Sequence, residues 1–252
     1  MPEHESVPSL DNGKTCPLCR SDDIERVGDK NKYTIASCNS CGLRFVEDMP
    51  TTAELEIFYT KNYGSEKDKA NMARKVYRWY RKLLPLKFFA RGKLFLDLGC
   101  NTGFAVEAAR LLGFRSTGYD LSAKALGLAR EKFVKCDFYH GTAIDAASVG
   151  ERYDAVVCAE MVEHLTELEA FGQALEFLVK PGGVLYLTTP DLGRFRNNQK
   201  FLGQADVCPP EHLIYFGREQ IKRFLQKAGF KILLFSPVFN KPSIRVFARK
   251  MQ

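Results

Sequence analysis

The chain predicts an α/β fold, a mostly parallel sheet flanked by helices, with a small metal-dependent ribbon ahead of it. Three observations carry that expectation. In Leu94-Phe-Leu-Asp-Leu-Gly-Cys-Asn-Thr-Gly-Phe104 a short buried-strand run meets a glycine turn, and Phe104, Ala105, Ala108, Ala109, Leu111 and Leu112 then recur at helical spacing. Further strand-like runs alternate with helical patterns to the end of the chain, as repeated βαβ units require. Upstream, two CxxC knuckles, Cys16-Pro-Leu-Cys19 and Cys38-Asn-Ser-Cys41, are separated by eighteen residues.

The 252 residues suffice for one full α/β domain and a small appendage. With no apolar run of transmembrane length and a polar, acidic start, neither a membrane span nor a secretory signal is expected, and a soluble cytoplasmic protein is. Four of the eight cysteines form the knuckles, and Cys100, Cys136, Cys158 and Cys208 lie in or beside α/β elements. Reduced thiols and a metal site fit better than a disulfide framework. The net charge of +7 is unevenly placed: between Lys69 and Lys93 there are many basic residues and no acid.

Residues 1–14 are polar and aperiodic, a mobile tail. Residues 15–47 read as a zinc ribbon. Four thiolates from Cys16, Cys19, Cys38 and Cys41 suit tetrahedral Zn²⁺ in a closed structural site, with Tyr33–Cys38 and Leu43–Val46 as strands. Residues 48–92 read as a helical linker or lid. Thr52 caps a short helix that Phe58–Gly64 breaks, and an amphipathic helix follows from about Lys69 to Leu84. It sets Met72, Val76, Trp79, Tyr80, Leu83 and Leu84 against a basic face suited to nucleic acid, an anionic membrane surface, a diphosphate or plain solvent.

Residues 93–252 hold the main sheet. The turn Asp97-x-Gly99-x-x-x-Gly103 matches neither the dinucleotide nor the phosphate-loop pattern. Asn101 tolerates left-handed backbone. The second strand, Arg115 to Tyr119, ends at Asp120, where a carboxylate can accept both hydroxyls of a ribose. Ser122 caps the helix Ala123–Lys132. A third strand lies near Lys135–Tyr139, a fourth at Tyr153–Cys158, a helix at Phe171–Val179 and a turn at Lys180–Gly183. The fifth strand runs Val184–Thr189, a helix Gly217–Ala228, and closing strands Phe230–Ser236 and Ser243–Lys250.

The fourth strand opens into Glu160-Met-Val-Glu163-His164. If Glu160 starts a helix, Glu160, Glu163 and His164 share one face toward the crevice. Two carboxylates and an imidazole are ligands for Mg²⁺, Mn²⁺ or a similar ion, with His212 on a distant loop as the fourth.

The segment LDLGCNTG together with Asp120 resembles the class I S-adenosylmethionine-dependent methyltransferases from Lys93 onward. That resemblance implies six parallel strands plus one antiparallel. It lays S-adenosylmethionine across Asp97, Gly99, Cys100, Asn101 and Gly103, with the ribose on Asp120 beside Leu121, the adenine near Thr142, Ala143 and Ile144, and Glu160 bordering the cofactor. The ribbon and Tyr-rich link resemble bacterial methyltransferases with an N-terminal zinc-binding domain, deoxysugar C-methyltransferases among them. There the histidine matching His212 is a general base, and Tyr59, Tyr63 and Tyr215 become acceptor-pocket candidates. The Glu-x-x-Glu-His pattern with a distant His resembles ubiquinone-pathway O-methyltransferases and small-RNA 2′-O-methyltransferases, in which the matching residues hold a divalent ion. The candidate catalytic set is therefore His212, Glu160, Glu163 and His164, with or without metal. A small-molecule, sugar, glycan or lipid-precursor acceptor, O- or C-methylated by in-line transfer, is the expected substrate. RNA methylation and a non-catalytic zinc-ribbon partner subunit are the alternatives.

Overall fold

Strand β4 (Leu94–Leu98) sits mid-sheet and is buried on both faces, which is why its sequence alternates poorly and reads as an apolar run. A computed structural model describes residues 15–51, 54–55, 71–237 and 243–252. The expected tail, the Thr52 cap, Tyr59 and Tyr63 and most of the last turn lie outside the described residues.

Strands β5 (Arg115–Asp120) and β6 (Asp137–His140) extend the sheet on one side of β4. On the other side lie β7 (Tyr153–Ala159) and β8 (Val179–Pro190), then β11 (Ser243–Lys250) and β10 (Phe230–Phe235). Neighbours from β6 to β8 are parallel, and β11 is antiparallel to both β8 and β10. Six strands therefore point one way and β11 the other, the six-plus-one sheet that the resemblance implies. The order reverses at β4, so the crevice opens at the carboxyl ends of β4 and β7.

Side chains alternate between two cores. Phe95, Val157 and Tyr186 face the layer of helices Met72–Leu83, Phe104–Leu111 and Ala123–Lys132. Leu96, Val156 and Leu185 face helices Leu168–Leu178 and Arg218–Lys227. The second core runs without interruption into the ribbon, through Phe201, Leu213 and Ile214 to Leu43, Ile35 and Cys16.

Three local expectations are corrected. The expected Lys180–Gly183 turn is a bulge inside β8. Pairing jumps from Tyr153–Val179 to Ala155–Val184, and Gly182 adopts φ 77° to absorb the extra residues. The basic helix exposes Met72 and Leu84, which were expected on its apolar side. In the ribbon, β2 (Tyr33–Cys38) and β3 (Arg44–Val46) match, but polar β1 (Ile24–Lys30) joins them and β9 (Ile214–Tyr215) completes the sheet. Two residues carry too little pattern to predict a strand. β9 exists because β3 presents an edge to it.

Candidate functional site

The cofactor edge is built from backbone constraints. The N–H groups of Gly99 and Cys100 both donate to the Tyr119 carbonyl, at 2.9 and 3.0 Å, which clips the turn to β5. Left-handed backbone at Gly99 (φ 72°), Asn101 (φ 47°) and Gly103 (φ 80°) then reverses the chain into the Phe104–Leu111 helix. A Cβ at Gly103 would stand 2.7 Å from the Phe138 ring, so space as well as conformation selects glycine. The thiol of Cys100 is buried over Gly118, where a Cβ would meet its Sγ at 2.7 Å.

Asp120 is locked to this turn. Its Oδ2 accepts from the Asn101 N–H at 2.7 Å and its Oδ1 from the Ser122 N–H at 2.8 Å. Asp97 is buried beneath, and burial with the neighbouring Asp120 charge pushes its carboxyl well above the usual range. Leu121 is exposed beside Asp120. Thr142 caps the helix Ala143–Ser148 in a reciprocal capping box with Asp145, with Ala143 buried and Ile144 exposed. All of these expected cofactor residues lie along one edge of the sheet.

Glu160 departs from expectation. It adopts φ 51° at the end of β7 and does not open a helix; a single 3₁₀ turn, Val162–His164, follows. A left-handed residue cannot itself be part of the first turn of a right-handed helix. The Glu160 N–H donates to the Thr188 carbonyl at 2.9 Å, and its Oε1 accepts from the Thr188 hydroxyl at 2.7 Å. The proposed common face of Glu160, Glu163 and His164 is therefore not formed.

Glu163, His164 and His212 do converge, and their ligand atoms all lie within 4.8 Å of one another. The Thr189 hydroxyl donates to Glu163 Oε2 at 2.9 Å, while Glu163 Oε1 is buried without a hydrogen-bond partner. Burial first, and the Glu160 charge second, push the Glu163 carboxyl up to about 8. His164 Nδ1 lies 2.5 Å from the Glu211 carbonyl and His212 Nδ1 2.6 Å from the Asp206 carbonyl. A carbonyl only accepts, so both Nδ1 atoms carry a proton and any ion would be met by Nε2. Burial, then the His212 charge, hold His164 down at about 4. The rings meet edge to face at 4.8 Å. Carboxylate and imidazole donors of this kind suit a divalent ion, and the orphaned Oε1 is the atom that such an ion would satisfy.

Tyr215, an expected acceptor-pocket residue, lies next to His212. It is buried with its ring edge-on to Phe201, and its hydroxyl donates to the His212 carbonyl at 2.7 Å, behind the imidazole. Thr188, Thr189, Asp206 and Glu211 are supports that sequence reasoning missed. Only the Thr pair had a legible signal, its place at the carboxyl end of β8.

The ribbon holds the loop that bears His212. The Val46 N–H donates to the Leu213 carbonyl at 2.8 Å, and the Leu213 N–H donates to the Glu163 carbonyl at 2.7 Å. Asn31 Nδ2 donates to the Pro209 carbonyl at 2.9 Å, and Gln220 Nε2 to the Cys41 carbonyl at 2.7 Å. Arg44 Nη1 donates to the Phe195 carbonyl at 2.6 Å and Arg44 Nη2 to Asn198 Oδ1 at 3.1 Å, which ties down the insertion after β8. The thiols of Cys16, Cys19, Cys38 and Cys41 lie within 4.8 Å of one another, with the Cys16–Cys41 and Cys19–Cys38 sulfurs each 3.5 Å apart. Sulfurs around a tetrahedral Zn²⁺ stand about 3.8 Å apart, so this donor set fits such an ion.

The family profile described as "Methyltransferase domain" matches residues 69–234. Curated relatives named ubiquinone biosynthesis O-methyltransferase include one from Chromobacterium violaceum, 39% identical over 62% of this chain and 72% of its own length. Another, from Aromatoleum aromaticum, is 40% identical over 39% of this chain, and the match spans only 44% of that relative. Among solved structures, magnesium protoporphyrin IX methyltransferase from Synechocystis shares the fold at a TM-score of 0.55 and 18% identity, covering 79% of this chain and 95% of that one. An S-adenosylmethionine-dependent methyltransferase from Clostridium acetobutylicum does so at 0.56 and 14%, covering 79% and 99%.

Proposed function

The chain belongs to the class I S-adenosylmethionine-dependent methyltransferases, and from that premise we propose that it methylates an oxygen of a small molecule held at Glu163, His164 and His212 with a divalent cation. The observation that carries this reading is the buried Glu163 Oε1, which has no hydrogen-bond partner among the described residues and stands 3.9 Å from His164 Nε2, beside two imidazoles whose Nδ1 protons are already committed to backbone carbonyls. The relatives named ubiquinone biosynthesis O-methyltransferase support oxygen as the acceptor atom. A sugar, glycan or lipid precursor with adjacent oxygens has the same chemistry.

In this reading the cofactor lies across Gly99–Gly103 with its ribose on Asp120. Asp120 is pre-aimed by the Asn101 and Ser122 amides, so little ordering is lost on binding. The acceptor oxygen attacks the sulfonium methyl in line, the S–CH₃ bond breaks, and S-adenosylhomocysteine leaves. A bound divalent ion would lower the pKa of the acceptor hydroxyl. Glu163 and the two Nε2 atoms would hold that ion and the acceptor proton would pass to solvent; with no ion on it, the His212 Nε2 lone pair would take that proton instead. Thr189 and the two carbonyls fix these three groups before any ligand arrives. The ribbon's four thiols would hold Zn²⁺ as a structural staple.

The test is transfer of labelled methyl from S-adenosylmethionine into a lysate separated into small-molecule, glycolipid and RNA fractions. It is run with wild-type chain, with chelator, and with Glu163→Gln. Label in the small-molecule or glycolipid pool, lost with chelator and with Glu163→Gln, is the expected result. Label that survives Glu163→Gln but is lost in His212→Ala would make His212 a metal-free base. Label in a nuclease-sensitive pool would overturn the small-molecule reading in favour of RNA.

A further inference from the structure

Residues 71–93 contain eight Lys and Arg and no acid, more than the whole net charge of +7, so the rest of the chain is close to neutral. None of the chemistry above uses this concentration of charge. The segment is helical from Met72 to Leu83 and again from Leu86 to Phe89. Leu84 (φ −50°, ψ −40°) and Pro85 (φ −60°, ψ −29°) keep right-handed helical backbone, so residues 72–89 follow one helical path. On that path Tyr77, Arg81, Leu84 and Phe88 are spaced four, three and four residues apart and share one face. The opposite face is spent on the core, where Val76, Leu83 and Leu86 are buried.

The outward face is apolar where solvent would select polar residues. Tyr77 is 62% exposed, Leu84 40% and Phe88 80%. Single exposed apolar residues need no explanation, but three aligned on one helix face do. Arg74, Arg78 and Arg81, all exposed, run along one edge of this stripe, and exposed Lys87 lies on the other. Beside Tyr77 the apolar surface continues into a groove of about 490 Å³ between this helix and Phe104–Leu111, walled by Ala73, Tyr80, Leu111 and Phe133. The one acid in that groove, Glu107, is neutralised by Arg110 at 2.7 Å.

We propose that residues 72–91 form a peripheral docking face for an anionic lipid bilayer, with Tyr77, Leu84 and Phe88 entering the headgroup boundary and the flanking Arg and Lys meeting lipid phosphates. A helix lying in a membrane interface needs this combination, an apolar stripe edged by long cationic side chains that reach the headgroups. The charge excludes a neutral or basic partner. Single-stranded RNA is disfavoured because bases stack on aromatic rings, and one of the stripe's three apolar members, Leu84, has no ring to offer a base. Among the described residues no helix is long and apolar enough to cross a membrane, so the contact is superficial.

The experiment is sedimentation of the full chain with vesicles of phosphatidylcholine alone or of phosphatidylcholine with phosphatidylglycerol. The wild-type chain should pellet with the anionic vesicles, stay in solution with the neutral ones, and be released by salt. Leu84→Ser/Phe88→Ser and Arg78→Gln/Arg81→Gln should each weaken partitioning on the order of tenfold. Both variants should keep wild-type affinity for S-adenosylhomocysteine, which shows that the fold is intact. Wild-type chain that stays in solution with anionic vesicles, or binding that survives both double substitutions, overturns the proposal. Binding of an RNA oligonucleotide in place of vesicles, lost with the same substitutions, would reassign the face to nucleic acid.

Discussion

Each residue of the candidate site has a neighbour that fixes it, and those neighbours decide what a substitution does. Asp120 accepts two backbone N–H bonds, so its carboxylate is already oriented for the ribose proposed there. Replacing it with Ala removes up to two charge-assisted bonds to the ribose, each about 1.5–3 kcal/mol. Affinity for S-adenosylhomocysteine should fall on the order of a hundredfold by calorimetry, with the circular dichroism spectrum unchanged; unaltered affinity would remove Asp120 from the ribose. His212→Ala deletes the Nε2 lone pair but leaves Tyr215, whose hydroxyl bonds the His212 backbone, in place. Turnover should drop on the order of a hundredfold or more while cofactor affinity stays within twofold. A parallel loss of cofactor affinity would show that His212 supports the fold instead. Gly103→Ala meets both a φ of 80° and the Phe138 ring, and should destabilise the chain by about 2 kcal/mol in denaturant titration.

At the scale of elements, the decisive contact is between the ribbon and the loop after β8. Strand β9 begins two residues past His212 and pairs with β3, whose last residue, Val46, donates to Leu213. Leu213 in turn donates to the Glu163 carbonyl, so one short strand connects the four-thiol cluster to both the carboxylate and an imidazole. A module of this size cannot hold its strands without metal. With Zn²⁺ proposed at these thiols, its removal by chelation or by Cys38→Ser should therefore abolish turnover by releasing His212. The cofactor turn belongs to the other face of the sheet and should still bind S-adenosylhomocysteine. Hydrogen exchange reads this directly: the Leu213 and Ile214 amides should lose protection, and those of Gly99 and Cys100 should keep it. Protection retained at Leu213 in the metal-free chain would uncouple ribbon from site.

Across the whole molecule, one apolar core runs from Leu96 and Val156 in the sheet to Ile35 and Cys16 in the ribbon, so the two parts share stabilising contacts. Calorimetry should show a single unfolding transition, with chelator lowering its midpoint; two separated transitions would contradict a shared core. What the sequence by itself determined is what local chemistry specifies. The left-handed positions at Gly99, Asn101 and Gly103, the acid ending the second strand, the Ser122 cap and the CxxC pairs each need only neighbours along the chain. Buried parallel strands read as apolar runs wherever they occur, so the order of elements was legible too. Only tertiary structure decided the rest. Glu160 turned left-handed and bonded Thr188 instead of joining the metal-ligand group, because β8 offered it a carbonyl and a hydroxyl. His212 came within reach of Glu163 because β9 found an edge on β3, and Tyr215 became its support. Those pairings join residues up to about 170 positions apart, and β9, a strand of two residues, carries no pattern of its own. Hydrophobic periodicity reports which face of an element is buried and leaves open which other element buries it.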